Sequence, residues 1–407
     1  MKEVGQTAGR TIFENVRLAD GNVVALTVEA GKFVAPNSGS SAQPVSRVDL
    51  AGALVLPALI DGHIHLDKTF LGHGWRPHRP CTAGFNVRER VAFEKEELAA
   101  AGDIVRRAST LVERVVAYGT GHLRCHVDIS PDFGLKNLEA VNEVRELYAD
   151  CIDIEIVAFP QSGIMTSPGT ADLLDGALSN GADLIGGLDP ATYDGDINAH
   201  LDVVFGLAER HGAGIDIHLH DGDLLGVFEI EDICRRTIAA GMQNRVAISH
   251  AYSLGQVPDA VVKRAADLLA EAGVAIMTNA PGNHGFPPVR ALHDAGVTVF
   301  GGNDNIRDAW WPYGEGDMLE RAMIIGYRSG FLTDEDLSLA FDLTSSHAAR
   351  VLGLEGYGIA PGNPANFIVV DAASVPEAVV ARPVRERVYK NGNLVAEGGR
   401  LANGTRL

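Results

Sequence analysis

Apolar runs of strand length recur along the middle of the chain, many separated by stretches with helical periodicity. Eight such runs occupy residues 54–65, 122–129, 152–161, 182–189, 214–220, 245–250, 274–279 and 297–304. Their nearly unbroken apolar character suits strands of a parallel sheet covered on both faces. Between them, residues 104–117, 137–148, 199–211 and 260–272 show helical periodicity, with small, polar or acidic residues at or just before their starts. Eight alternations of strand and helix predict an α/β fold, a (β/α)8 TIM barrel. A doubly wound open sheet competes with it, yet no Gly-x-Gly-x-x-Gly follows a strand here.

The two ends of the chain read differently. Residues 11–48 hold short strands and turns with a Gly/Ser-rich loop over 36–43, and residues 366–396 supply further strands around the turn Lys390-Asn391-Gly392-Asn393. Neither set is large enough to stand alone as a sheet. Together they predict one small β-sandwich from residues 1–53 and 358–407, flanking a barrel of residues 54–357.

Polar residues gather at the C-terminal ends of the predicted strands: His63 and His65, His126 and Asp128, Gln161, Asp189, His218 and His220, His250, Asn279 and Asp304. In a barrel those ends share one mouth, where active sites lie. His63 and His65, two apart on one strand, point the same way, and two imidazoles on a rigid strand end form half of a metal site.

Charge and cysteine content narrow the setting. With 34 basic against 53 acidic residues the formal charge is -19, which leaves no electrostatic footprint for nucleic acid or an anionic membrane and favours a small neutral or cationic substrate. No apolar run approaches a membrane span, and residues 1–10 lack an apolar signal core, so a cytoplasmic location is expected. Cys81, Cys125, Cys151 and Cys234 are scattered and read as reduced thiols.

The stretch Asp61-Gly62-His63-Ile64-His65-Leu66-Asp67-Lys68-Thr69 resembles the first metal motif of the amidohydrolase superfamily, and its continuation points to the cytosine deaminase-like branch. Arg124-Cys125-His126-Val127-Asp128, Phe159-Pro160-Gln161-Ser162-Gly163-Ile164, Asp216-Ile217-His218-Leu219-His220-Asp221, His250 and Gly302-Asn303-Asp304 resemble five further motifs in the same order. The resemblance implies a mononuclear site with His63, His65, His218 and Asp304 on one divalent ion, zinc first, with iron or manganese also suited. No lysine lies near Gln161 or Asp189 to bridge a second metal. His250 resembles the histidine that orients the attacking water, or props the site from behind, and Asp304 also accepts a proton.

The resemblance also assigns roles around the ion. Asp221 stands where the relatives carry a glutamate as general acid, one methylene shorter, with His220 and Asp223 close enough to share the work; alternatively it caps the next helix. Gln161 resembles the glutamine that grips a ring carbonyl and a ring N–H together. His126 either lines the pocket or, with Asp128, belongs to a structural network. Asp189 departs from cytosine deaminase and would recognise an extra amino or cationic group. Trp75, in the basic and aromatic loop 70–80, and Trp310 would flank a planar ring. The implied reaction is hydrolytic deamination at the C–NH2 carbon of a cyclic amidine or guanidine such as a pyrimidine, triazine or pterin. The alternatives are release of a substituted amine, as in the N-isopropylammelide isopropylaminohydrolases with similar motifs, hydrolysis of a cyclic amide, and a non-catalytic barrel that binds a heterocycle. A small-molecule heterocycle is the expected partner; association into a homo-oligomer is left open.

Overall fold

The structure, a computed structural model, describes residues 9–35, 45–282 and 284–406. The loop expected over 36–43 and most of the 1–10 stretch lie outside the described residues. Eight parallel strands run in chain order around a barrel: Leu59–Ile64, Thr120–Asp128, Asp153–Phe159, Leu184–Leu188, Gly214–Leu219, Val246–His250, Ala275–Thr278 and Val299–Gly301. They are buried or nearly so along their length apart from exposed Asp153 at the start of the third, as the apolar runs require. The expected helices appear as Ile104–Ala117, Lys136–Leu147, Ile197–His211 and Asp259–Ala272. Asp103 and Asp196 cap two of them by accepting from Arg106 and Ala199 backbone N–H groups.

The barrel closes at a seam between its eighth and first strands that has no regular ladder. The backbone N–H of Asp304 donates to the carbonyl of His63 at 2.7 Å. Below it, the Asp61 carboxylate accepts from the Asn303 backbone at 3.0 Å and from its side-chain amide at 2.7 Å. Glycine permits this approach: a Cβ on Gly302 would lie 2.6–2.8 Å from His63 atoms, and one on Gly62 would strike the Phe300 ring at 2.4 Å.

The apolar run expected as one strand over 54–65 is two strands. Leu54–Pro57 belongs to the terminal sheet, pairing antiparallel with Phe367–Val370, and only Leu59–Ile64 enters the barrel. Ala58 is the hinge: its N–H donates to the Asn366 carbonyl at 3.1 Å, whereas Leu59 already donates to Gly119 at 2.9 Å. Both sheets bury the run, so hydrophobicity alone does not mark the exchange.

The terminal sheet joins the two ends of the chain. Its hydrogen-bonded path runs from Arg400–Leu401 through Asn393–Glu397, Arg385–Lys390, Phe367–Val370, Leu54–Pro57, Arg10–Arg17 and Val23–Glu29 to Lys32–Val34, with Val45–Asp49 also paired to Arg10–Arg17. It has a core of its own, in which Phe13 meets Phe367 and Tyr389 edge-on at 5.1 and 5.0 Å and Phe367 stacks on Tyr389 at 4.5 Å. Buried Arg385 ties this sheet to the barrel through Asp317 and the Tyr118 carbonyl. All four cysteines are free thiols, three of them buried. No helix among the described residues is long and apolar enough to cross a membrane.

Candidate active site

Three imidazoles and one carboxylate converge at the barrel mouth. His63 Nε2 and His65 Nε2 lie 3.5 and 3.3 Å from the same Asp304 oxygen, Oδ1, and His65 Nε2 lies 3.4 Å from His218 Nε2. Tetrahedral coordination with bonds of about 2.0–2.1 Å sets neighbouring ligand atoms about 3.3–3.4 Å apart, and these spacings match the edges of such a shell. The far side of two rings is already engaged. His65 Nδ1 donates to the His126 carbonyl at 3.0 Å, and His63 Nδ1 lies 2.9 Å from Ser249 Oγ. A carbonyl can only accept, so His65 directs an Nε2 lone pair at its neighbours. His63 Nε2 is fully buried with no hydrogen-bond partner, an orphan that a cation would satisfy.

Electrostatics agree with that role. Burial, then the Lys68 charge, pull His65 down to about 4, and burial followed by neighbouring imidazoles holds His218 well below its ordinary value. Neutral imidazole is the form that ligates. Donor atoms of His63, His218, His250 and Asp304 fall within 4.8 Å of one another, a grouping in which His250 stands in place of His65, so five side chains crowd the same point. Non-glycine residues with positive φ gather here, among them Asp189 at 35°, His250 at 75° and Asp304 at 62°. Strain of that kind at strand ends is tolerated where side-chain direction matters more than backbone comfort.

The cluster opens into a cavity of about 760 Å³ lined by His65, His218, His220, His250 and Asp304 among others. Gln161 and Trp310 also line it, as expected. Lys68 is the residue sequence reading passed over. Its ammonium is buried and bonds Gln161 Oε1, pairs with Glu94 at 3.3 Å, and lies over the Phe159 and Trp310 rings at 5.2 and 5.8 Å. Burial lowers its pKa, but Glu94, Asp67 and Asp128 outweigh that and hold the pKa above its usual value. Because an ammonium only donates, Gln161 spends its oxygen on Lys68. The expected donor-and-acceptor edge is therefore a row of donors, suited to a ring carbonyl. The available signal was position: Lys68 follows His65 by three residues in the same motif.

Four further expectations are corrected. Trp75 is 73% exposed and stands outside the cavity; Phe85 takes the place expected of it, in contact with His220, His284 and Trp310. His126 is fully buried beneath the cluster, stacked on His63 at 3.9 Å, and does not reach the cavity. Asp189 is fully buried and does not line the cavity, and both its oxygens serve His220: Oδ1 accepts the backbone N–H at 2.6 Å and Oδ2 meets the ring at 2.9 Å. Asp221 turns away from the cavity to accept from the backbone N–H and the hydroxyl of Thr192, beside the Glu229 carboxyl. Its shorter side chain is captured by the neighbouring loop, and His220 faces the cavity instead. Burial lowers the pKa of that imidazole, but Asp189 outweighs it and the His220 pKa is raised.

A parallel eight-stranded barrel whose strand ends converge histidines and an aspartate on one cavity has the build of a hydrolytic metalloenzyme. The chain belongs to the Amidohydrolase family, which it matches over residues 99–396. It is 35% identical over 355 residues to the N-isopropylammelide isopropyl amidohydrolase of Pseudomonas sp. (strain ADP), covering 86% of this chain and 88% of that protein. The crystal structure of N-isopropylammelide isopropylaminohydrolase from Burkholderia multivorans ATCC 17616 superposes with a TM-score of 0.92 at 40% identity, covering 97% of this chain and all of that one (100%). The 5-methylcytosine deaminase of Klebsiella pneumoniae, liganded with 5-fluorocytosine, gives 0.81 at 26% identity over 95% and 97% of the two chains. The protein is thus a hydrolase acting on carbon–nitrogen bonds.

Proposed function

We propose that this enzyme hydrolyses the exocyclic C–N bond of a planar nitrogen heterocycle that carries a ring carbonyl, releasing an alkylamine in preference to ammonia. His63, His65, His218 and Asp304 would hold one divalent ion, zinc first. When bound, that ion acidifies a water and so supplies the nucleophile. The convergence of those four residues at 3.3–3.5 Å, open to the cavity beside a row of donors, carries the reading.

The chain's own residues divide the remaining work. Lys68 and the Gln161 amide grip the ring carbonyl and stabilise negative charge as it builds on the ring. Asp304 Oδ2, fixed by the Asn279 amide at 2.8 Å, is placed to take the proton of the attacking water. His220, held through Nδ1 by Asp189 and stacked on His250 at 4.5 Å, presents Nε2 to protonate the leaving nitrogen. Phe85, Tyr252, Trp310 and Ile324 line a cavity larger than one six-membered ring needs, which leaves room for an N-alkyl group. The likeness to the N-isopropylammelide hydrolases supports the same choice.

Ammonia release from an unsubstituted ring is the second reading, supported by the likeness to 5-methylcytosine deaminase. The test is to incubate zinc-loaded enzyme with N-isopropylammelide, other N-alkylaminotriazines, ammelide, cytosine and 5-methylcytosine, and to quantify alkylamine and ammonia separately. A higher kcat/KM for alkylamine release is expected. Ammonia alone selects the second reading, and neither product from zinc-loaded protein overturns both.

A further inference from the structure

Beneath the ligand cluster a line of buried polar groups runs down the barrel interior. His63 Nδ1 meets Ser249 Oγ at 2.9 Å, and Ser249 Oγ–H donates to Asp216 Oδ1 at 2.7 Å. Asp216 Oδ2 accepts from Arg124 Nη1 at 3.0 Å, and Arg124 Nε donates to Glu155 Oε2 at 2.6 Å. His63, Ser249 and Asp216 are wholly inaccessible to solvent and Arg124 is 3% exposed. From His63 to Arg124 the line is sealed from solvent, so the direction of each hydrogen bond there is set by its neighbours.

The directions follow from the far end. Arg124 carries a permanent cation that can only donate, so Asp216 accepts from it through Oδ2 and from Ser249 through Oδ1. Ser249 has a single proton and commits it to Asp216. Its oxygen can then only accept from His63, so Nδ1 must carry the ring proton and Nε2 must be the bare lone pair. We propose that Ser249 and Asp216 are positioning residues that fix His63 as an Nε2 donor to the divalent ion; this rests on the metal reading of the proposed function. The two strand-one histidines differ in this respect. His65 is fixed by a backbone carbonyl, which no substitution deletes, whereas His63 depends on side chains of the fifth and sixth strands.

The test is zinc affinity, measured by chelator competition on the full chain, with the visible spectrum of the cobalt-substituted protein as a signature of coordination. Ser249→Ala leaves Nδ1 without a partner and should weaken zinc binding about 10–100-fold. Ser249→Thr, which keeps the hydroxyl, should restore most of the loss and the wild-type cobalt spectrum. Ser249→Ala that holds zinc within twofold of wild type, with an unchanged spectrum, overturns the proposal. Should that variant fail to fold, 15N-histidine NMR of zinc-free wild type decides. His63, assigned by its absence in His63→Asn, should show protonated Nδ1 and bare Nε2, and the opposite tautomer overturns the proposal. Wild type that takes up no zinc overturns the metal reading itself, a result distinct from either tautomer.

Discussion

One residue occupies both oxygens of the Asp189 carboxylate: His220 meets Oδ1 with its backbone N–H at 2.6 Å and Oδ2 with its ring Nδ1 at 2.9 Å. The pair behaves as one unit. Asp189→Asn keeps the shape but offers an amide where the ring needs an acceptor. We expect kcat to fall about 10²–10⁴-fold, the usual worth of a positioned acid or base. Because Asp189 is what raises the His220 pKa, the pH–rate limb belonging to this imidazole should also move to lower pH. Steady-state kinetics across pH 5–9 check both effects, and a displaced limb would not arise from simple misfolding.

Asp221 separates the reading of the motif from the reading of the geometry. Its carboxylate faces Thr192 and Glu229 rather than the cavity. Asp221→Asn should therefore cost kcat/KM less than about tenfold, while His220→Asn costs at least a hundredfold. The reverse ranking, measured on one substrate, would return the acid's role to Asp221.

Glu229 gives the fold a pH dependence of unusual sign for a carboxyl. Burial, and next the Asp221 carboxylate, push it up to about 9, against about 4.3 in an unfolded chain. Between those values the folded chain keeps a proton that the unfolded chain has released, so stability declines as pH rises through that window. Glu229→Gln mimics the protonated acid and removes the decline, on the order of a few kcal/mol by pH 9. Calorimetry at pH 6 and pH 8.5 should show a smaller loss of Tm in the variant, and equal losses would contradict the assignment.

Lys68 and Glu94 form a pair with almost no solvent contact. Lys68→Met strands a buried carboxylate and should destabilise the fold by about 3–5 kcal/mol. Adding Glu94→Gln should recover most of that stability but not the activity, since Gln161 has lost the partner that orients it. Denaturant melts with parallel assays separate the two outcomes.

Removal of the ion should cost stability as well as turnover. Chelator-treated enzyme is expected to lose activity and melt several degrees lower, both restored by zinc. Asp304→Ala should show the lower Tm with no response to zinc, and a full zinc response in that variant would remove Asp304 from the ligand set.

Much of the scaffold was legible because parallel strands covered on both faces leave an unmistakable apolar rhythm, and because barrel topology gathers their ends whatever the loops do. The helix over 104–117 appears with the expected bounds. The reading failed where one pattern serves two structures, as at Ala58, where a single apolar run changes sheets. It failed again where side-chain aim decides: Phe85 lies just beyond the 70–80 loop that holds Trp75, and only the fold says which ring turns inward. Asp189 and Asp221 point to neighbours for a related reason, since a carboxylate at a strand end is equally suited to a substrate and to a neighbour. Lys68 was overlooked because a lysine is ordinarily a surface residue.

The seam between the eighth and first strands has one further consequence. His63 and His65 stand on one side of the least-laddered joint in the barrel and Asp304 on the other, bridged there by a single backbone bond and the Asp61–Asn303 contacts. An ion seated among them would act as a clasp on the cylinder. In its absence, amide hydrogens flanking this joint should be the first in the barrel to exchange with deuterium, so the same atoms that ready the enzyme for reaction would decide where its wall first breathes.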